Sequence, residues 1–184
     1  MKTQQIRIPR RLPQSLREQM VDLLNQQLAD AIDLELQSKH TLWNARSPQS
    51  LSLYVLCDRI AVEVGQIVGQ IAGHIGLLGG LALGVRRAVL DTSRLPEYPL
   101  GLSSCDEYMG SLAIALESFV GSMAEAARTA RENKDFESSD VLDHGCRTAE
   151  KLLSVVKSYR QKQWRGMAEA ENHLSALVQE GAAA

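Results

Sequence analysis

The feature that most constrains this chain is the spacing of its aliphatic residues. They recur at three- and four-residue intervals over long stretches, with few helix-breaking sites between them. Leu16, Met20, Leu23, Leu24, Leu28, Ala31 and Ile32 trace one such pattern, which runs on to about Trp43 and Asn44. Ser15 and Glu18, just after Pro13, have the Ser-x-x-Glu spacing of a capping box, so the first long helix is expected to begin at Ser15. Ser47-Pro48 breaks the pattern and restarts it, with Pro48 suited to a first helical position. A second helix is expected over 48–78. Leu51, Val55, Ile60, Val64, Ile67, Val68, Ile71 and Ile75 supply its apolar surface, and Gly79-Gly80 stop it.

A shorter helical piece follows over 82–90, and Pro96 and Pro99 bracket a loop. Ser104 and Glu107 form a second capping box, opening a third long helix to about Glu132. Asn133-Lys134-Asp135 reads as a turn, with Asp135 or Ser138 able to cap the next helix. That helix carries Val141, Leu142, Leu152, Leu153, Val155 and Val156 and reaches at least Arg160. The expected organisation is a basic N-terminal arm over 1–14, an all-α four-helix bundle over 15–160, and a helix-compatible tail over 161–184. A short helix in the long middle connection is the ferritin-like arrangement. Cytokine-like and up-down bundles satisfy the same periodicity.

Composition agrees with packed helices. Apolar residues make up 45% of the 184 and aromatics only 4%, so the core must be built from Leu, Val, Ile and Ala. A formal net charge of -2 argues against a dedicated nucleic-acid binder. The first twenty residues are locally basic, with Lys2, Arg7, Arg10, Arg11 and Arg17 against Glu18. Such an arm could contact DNA phosphates, while a solvated, frayed terminus is the plainer account of it. Cys57, Cys105 and Cys146 form no C-x-x-C pair, which fits a reducing, cytoplasmic setting. No signal peptide is expected, and no apolar run is expected to reach the roughly 18 residues that span a bilayer, so no membrane partner is expected.

Four short motifs carry a resemblance. Leu23 to Asp30 (Leu-Leu-Asn-Gln-Gln-Leu-Ala-Asp) is similar to the first helix of the Dps, or mini-ferritin, family. Trp43-Asn44 resembles the end of its His-Trp-Asn signature, Gly79-Gly80 its Leu-Gly-Gly helix end, and Ser139-Asp140-Val141-Leu142 its Ala-Asp-Ile-Leu. All four stand in the family's order, and the similarity covers about Leu16 to Arg160. The resemblance implies a hollow dodecamer that takes in iron and, in some members, coats DNA.

The resemblance also implies a site that is mostly missing. In the family, iron is oxidised between two subunits by two histidines and a carboxylate from one and two carboxylates from the other. Carried over position by position, the histidines become Leu42 and Tyr54, one carboxylate stays as Asp58, and the two partner carboxylates become Gly69 and Gly73. Leucine and glycine side chains offer no ligand atom, and a neutral phenol is a poor one. The ferroxidase activity is therefore not carried over. Asp58 is at most a weak iron contact.

Gly65, Gly69 and Gly73 lie four apart on the second helix, with Gly76 three further on. Each costs roughly 0.5–1 kcal/mol against Ala in a helix. The stripe implies close packing against another subunit or a ligand pocket. His40 and His74 do not replace the lost imidazoles: a one-residue offset turns His74 about 100° away from Gly73. Glu63 and Asp33 would join them only in a different docking, and His144 and His173 have no evident partner. Asp135, Glu137, Asp140 and Asp143 surround the start of the last helix. In the family this turn lines cation-conducting pores, and acids also favour any helix N-terminus. Two functions follow: a shell sequestering iron or another cation without the usual oxidation site, or a non-catalytic binding protein contacting DNA or a small ligand on the same scaffold.

Overall fold

The computed structural model describes the backbone of residues 12–45 and 50–181 and the side chains within 12–45 and 53–161. The helices are α1 (Gln14–Asn44), α2 (Ser50–Leu77), α3 (Arg86–Thr92), α4 (Cys105–Glu132) and α5 (Phe136–Gly181). α1 and α2 form one hairpin and α4 and α5 the other; α1 packs on α4 and α2 on α5, which closes a four-helix bundle. α3 lies in the crossover, against α1.

The core is one aliphatic seam. α2 contributes Leu53, Cys57, Ile60, Val64, Ile67, Ile71 and Ile75, spaced by threes and fours. Met20, Leu24, Leu28 and Leu34 answer from α1, Leu112, Leu116, Phe119 and Met123 from α4, and Leu142, Leu152 and Val156 from α5. Two valines assigned to this surface from periodicity turn outward instead: Val55 is 58% and Val155 45% exposed. Each lies off the seam, Val55 two residues before Cys57 and Val155 one before Val156, so the helical turn carries it away.

The helix ends follow local chemistry, with two departures. Ser104 and Glu107 close a reciprocal capping box at α4. Gly79, at φ 77°, ends α2: its N–H bonds to the Gly76 carbonyl and the Gly80 N–H to that of Ile75. The Ser15–Glu18 box does not form. Pro13 is the N-cap, its carbonyl accepts from the Arg17 N–H, and Ser15 lies inside the first turn while Glu18 takes a bond from Gln14. α3 begins at Arg86 rather than at 82, because the preceding segment is bound in another way.

That binding comes from a polar stripe on α1. The Asn25 amide donates to the Leu81 carbonyl (3.0 Å) and accepts from the Leu83 N–H (2.9 Å). Gln26 donates to Thr92, Asp30 accepts from the Arg94 N–H, Asp33 from the Ser93 hydroxyl, and Gln37 donates to Pro96. Thr41 pairs with the Tyr98 hydroxyl at 2.7 Å. Asp30 and Gln37 are buried, yet no described buried side-chain nitrogen or oxygen lacks a partner. Each bond contributes roughly 0.5–1.5 kcal/mol net, and more would be lost by breaking one, because the partner would stay buried and unpaired.

One expectation about apolar runs needs correction. Leu53–Leu77 is long and apolar enough to cross a membrane by length and composition. Gln66, Gln70 and His74 obscure the run, but residues 64–85 contain no Asp, Glu, Lys or Arg. The segment forms the bundle's α2, and 39% of its most apolar window is buried within one copy.

Candidate functional site

The outward face of α2 brings the key positions together. Tyr54 is 55% exposed, and Asp58, Gly69 and Gly73 are exposed on the same helix. Leu42, at the end of α1, is half-buried against the core. Among the described residues no group of three or more His, Cys, Asp or Glu side chains is arranged to hold a metal ion. The five positions offer one carboxylate, Asp58, and one phenol. This donor set does not fit the iron site that the resemblance implies, because one carboxylate and one neutral phenol offer too few ligands to hold the metal.

The glycine stripe divides. A methyl group at Gly65 would lie 3.5 Å from the Glu35 carboxylate of α1, so this glycine belongs to the α1–α2 packing. At Gly69, Gly73 and Gly76 an added Cβ meets nothing within 4 Å. Gly69 and Gly73 instead floor a groove of about 720 Å³, walled by Gln70, His74 and Leu77 of α2 and by Asp140, Val141 and His144 of α5. Within one copy, these glycines are not explained by close helix packing.

His74 is the groove's buried polar residue, 7% exposed. Its Nε2 lies 2.9 Å from the Ser138 hydroxyl, which donates to Asp135 at 2.6 Å. Because that hydroxyl's only proton is committed to Asp135, His74 donates through Nε2, and a neutral ring keeps its Nδ1 as an acceptor. His74 is also one of the residues lining the groove. His40 sits elsewhere, edge-on to Tyr98 at 5.1 Å. Glu63 pairs with Arg59, and Asp33 holds Ser93. His173 lies outside the residues with described side chains, and Lys2, Arg7, Arg10 and Arg11 lie outside the described residues altogether.

The acidic turn is less uniform than its sequence. Asp135 is buried and caps α5, accepting from the Ser138 N–H at 3.1 Å as well as from its hydroxyl. Asp143 pairs with Arg131 at 2.6 Å. Glu137 and Asp140 remain exposed. Lys134 takes φ 60° to make the turn. Cys57, Cys105 and Cys146 are not joined in disulfides. Burial, with a smaller effect from nearby Cys105, pushes the Cys57 thiol up to about 12, so it stays protonated and unreactive.

The polar stripe of α1 was not singled out by sequence reasoning, although its signal is present: Gln26, Asp30, Asp33, Gln37 and Thr41 recur at helical spacing. Exposed polar faces have the same spacing, so only the packed crossover separates the two.

Comparison with known proteins agrees with this architecture. Residues 21–163 match the ferritin-like domain family. The DNA protection during starvation protein of Agrobacterium fabrum is 26% identical over 151 residues, covering 82% of this chain and 93% of that protein. The fine tangled pili major subunit of Haemophilus ducreyi is also 26% identical, over 76% of this chain and 74% of its own. Among solved structures, DpsC from Streptomyces coelicolor superposes with a TM-score of 0.79 at 26% identity, covering 84% of this chain and 90% of that one.

Proposed function

Because the chain belongs to the ferritin-like domain family and, within it, to the Dps proteins, we propose that it is a shell subunit for sequestering iron or another cation and protecting against stress, without the usual inter-subunit ferroxidase site. The observation that carries this is the contrast on one scaffold. The bundle and its clamped crossover are kept, while of Leu42, Tyr54, Asp58, Gly69 and Gly73 only Asp58 offers a carboxylate. The assembly is a homo-oligomer, a dodecamer by analogy. Glu137 and Asp140, exposed at the start of α5, are the carboxylates free to attract cations toward an opening; Asp135 and Asp143 are occupied in capping and pairing. Iron here is cargo.

The test is Fe(II) loading of the purified assembly with air or peroxide. The proposal expects cation uptake with an oxidation rate close to that of buffer. No uptake of iron or of any other divalent cation would sink it.

A second reading rests on the relative named for DNA protection and on the basic arm. In this reading Lys2, Arg7, Arg10 and Arg11 contact DNA phosphates. A DNA shift at low salt that disappears without residues 1–12 is the expected result, since phosphate contacts are strongest there. Complete absence of binding at low salt would remove this reading.

A further inference from the structure

Three sulfur-bearing side chains gather at the end of the bundle where α2 and α4 begin. Cys57 of α2 and Met109 of α4 are both fully buried, and the Cys57 thiol donates to the Met109 thioether with the sulfurs 3.9 Å apart. Cys105, the first residue of α4, stands one helical turn before Met109 and so on the same side of that helix. It is half-buried against the same core and close enough to Cys57 for the two thiols to influence each other's charge.

Two thiols and a thioether are a donor set of one kind, soft and polarisable. The carboxylates that follow Cys105 in sequence are engaged elsewhere, Asp106 with Arg160 and Glu107 with the α4 cap. The spacing also fits a shared ion. Sulfur ligands sit about 2.3 Å from a bound metal, so two of them on one ion stand about 4 Å apart, as Cys57 and Met109 already do at 3.9 Å. We propose that Cys57, Cys105 and Met109 bind a soft monovalent cation of the Cu(I) class through their three sulfurs. Thioether sulfur and three-fold coordination suit Cu(I) better than Zn(II), which prefers four ligands drawn from thiolate, imidazole and carboxylate, and better than Fe(II), which takes harder donors.

Binding exchanges protons for metal. Cys57 and Cys105 each release one proton to solvent, Met109 supplies a lone pair without proton change, and no electron moves. Two thiolates around one positive charge leave one net negative charge. Cys105 places it on the half-buried side, at the N-terminus of α4, where the helix dipole favours an anion. In the metal-free protein burial keeps the Cys57 thiol protonated, so Cu(I) affinity should fall as pH falls. All three sulfurs belong to one subunit, so the site does not depend on the shell reading.

The test is titration of the full chain, reduced and under argon, with Cu(I) held in competition by bicinchoninate. The chain should take one Cu(I) and show an ultraviolet thiolate-to-copper absorption band. Cysteine and methionine also serve as plain core filling, and Met109→Leu separates the two roles because it conserves volume. It should weaken Cu(I) binding by about tenfold or more, the least that losing a partner at a metal site costs, while the metal-free protein melts nearly as before. Cys105→Ser, at a half-buried position, should abolish the band with the helices intact by circular dichroism. Cys146→Ala, which removes the thiol outside the cluster, should leave binding unchanged. Failure of the unsubstituted chain to take Cu(I) from bicinchoninate would overturn the site. So would full-strength binding by Met109→Leu or Cys105→Ser, loss of binding in Cys146→Ala, or tighter binding of Zn(II) than of Cu(I).

Discussion

His74 Nε2 lies 2.9 Å from the Ser138 hydroxyl, and this pair ties the C-terminal part of α2 to the first turn of α5. The Ser138 hydroxyl donates a hydrogen bond to Asp135, the residue that caps α5. One buried hydroxyl thus joins a helix cap to the histidine edge of the groove.

Replacing Ser138 by Ala removes one acceptor and one donor at a site with no exposure. His74 Nε2–H and one Asp135 oxygen are left short of a partner. The expected loss is about 1–3 kcal/mol of unfolding free energy, read from urea denaturation of assembly and subunit. A change within about 0.3 kcal/mol would mean that water replaces the hydroxyl at no cost.

Asn25→Leu tests the crossover clamp. It leaves the Leu83 N–H and Leu81 carbonyl without their side-chain partner. Stability should fall by about 1–3 kcal/mol. Hydrogen exchange at the Leu83 amide should accelerate more than exchange in α4, because the opening is local. Uniform acceleration across the bundle would contradict a local clamp.

Acid should weaken the tie between α4 and α5 through Asp106. Hydrogen bonds from Arg160, at 2.8 and 3.1 Å, hold the Asp106 carboxyl below its ordinary value. The folded value therefore lies under the unfolded one. The pair's stabilisation is fully present above the unfolded pKa of about 3.9 and is lost as pH falls through the folded value. Asp106→Asn should cost about 0.5 kcal/mol or less at pH 7, since the pair is partly exposed. The difference from the unsubstituted chain should vanish in strong acid and shrink in high salt. A difference that grows as pH falls would reverse the sign and refute the assignment.

Ligands placed at the positions carried over from the family test the proposal that this chain has no ferroxidase site. Gly69→Asp with Gly73→Glu introduces carboxylates on α2 but leaves Leu42 and Tyr54 without imidazole. This pair of changes should bind iron weakly at most. Adding Leu42→His and Tyr54→His should raise Fe(II) oxidation by at least tenfold over the double variant, measured by absorbance under air. Full-speed oxidation by the double variant, or by the unsubstituted chain, would show that the lost residues are not what limits the chemistry.

Much of this architecture was written in local chemistry. The three-and-four spacing from Ile60 to Ile75 demanded a helix with one buried side, Gly79 had to end it because a positive φ suits glycine, and Ser104 with Glu107 could satisfy each other's backbone without tertiary help. The lack of ligand atoms at Leu42, Gly69 and Gly73 was equally plain, since a side chain without a ligand atom has none in any fold. What the neighbours alone decided was the use of residues whose chemistry allows several roles. Asp30 and Asn25 look like solvated residues until the crossover lies over them. Asp135 and Asp143 look like their exposed neighbours until one caps α5 and the other meets Arg131. Gly65 differs from Gly69 only because Glu35 stands beside it. Periodicity reports which way a residue faces on its own helix; what it faces depends on contacts far apart in the chain, and those exist only once the bundle has closed.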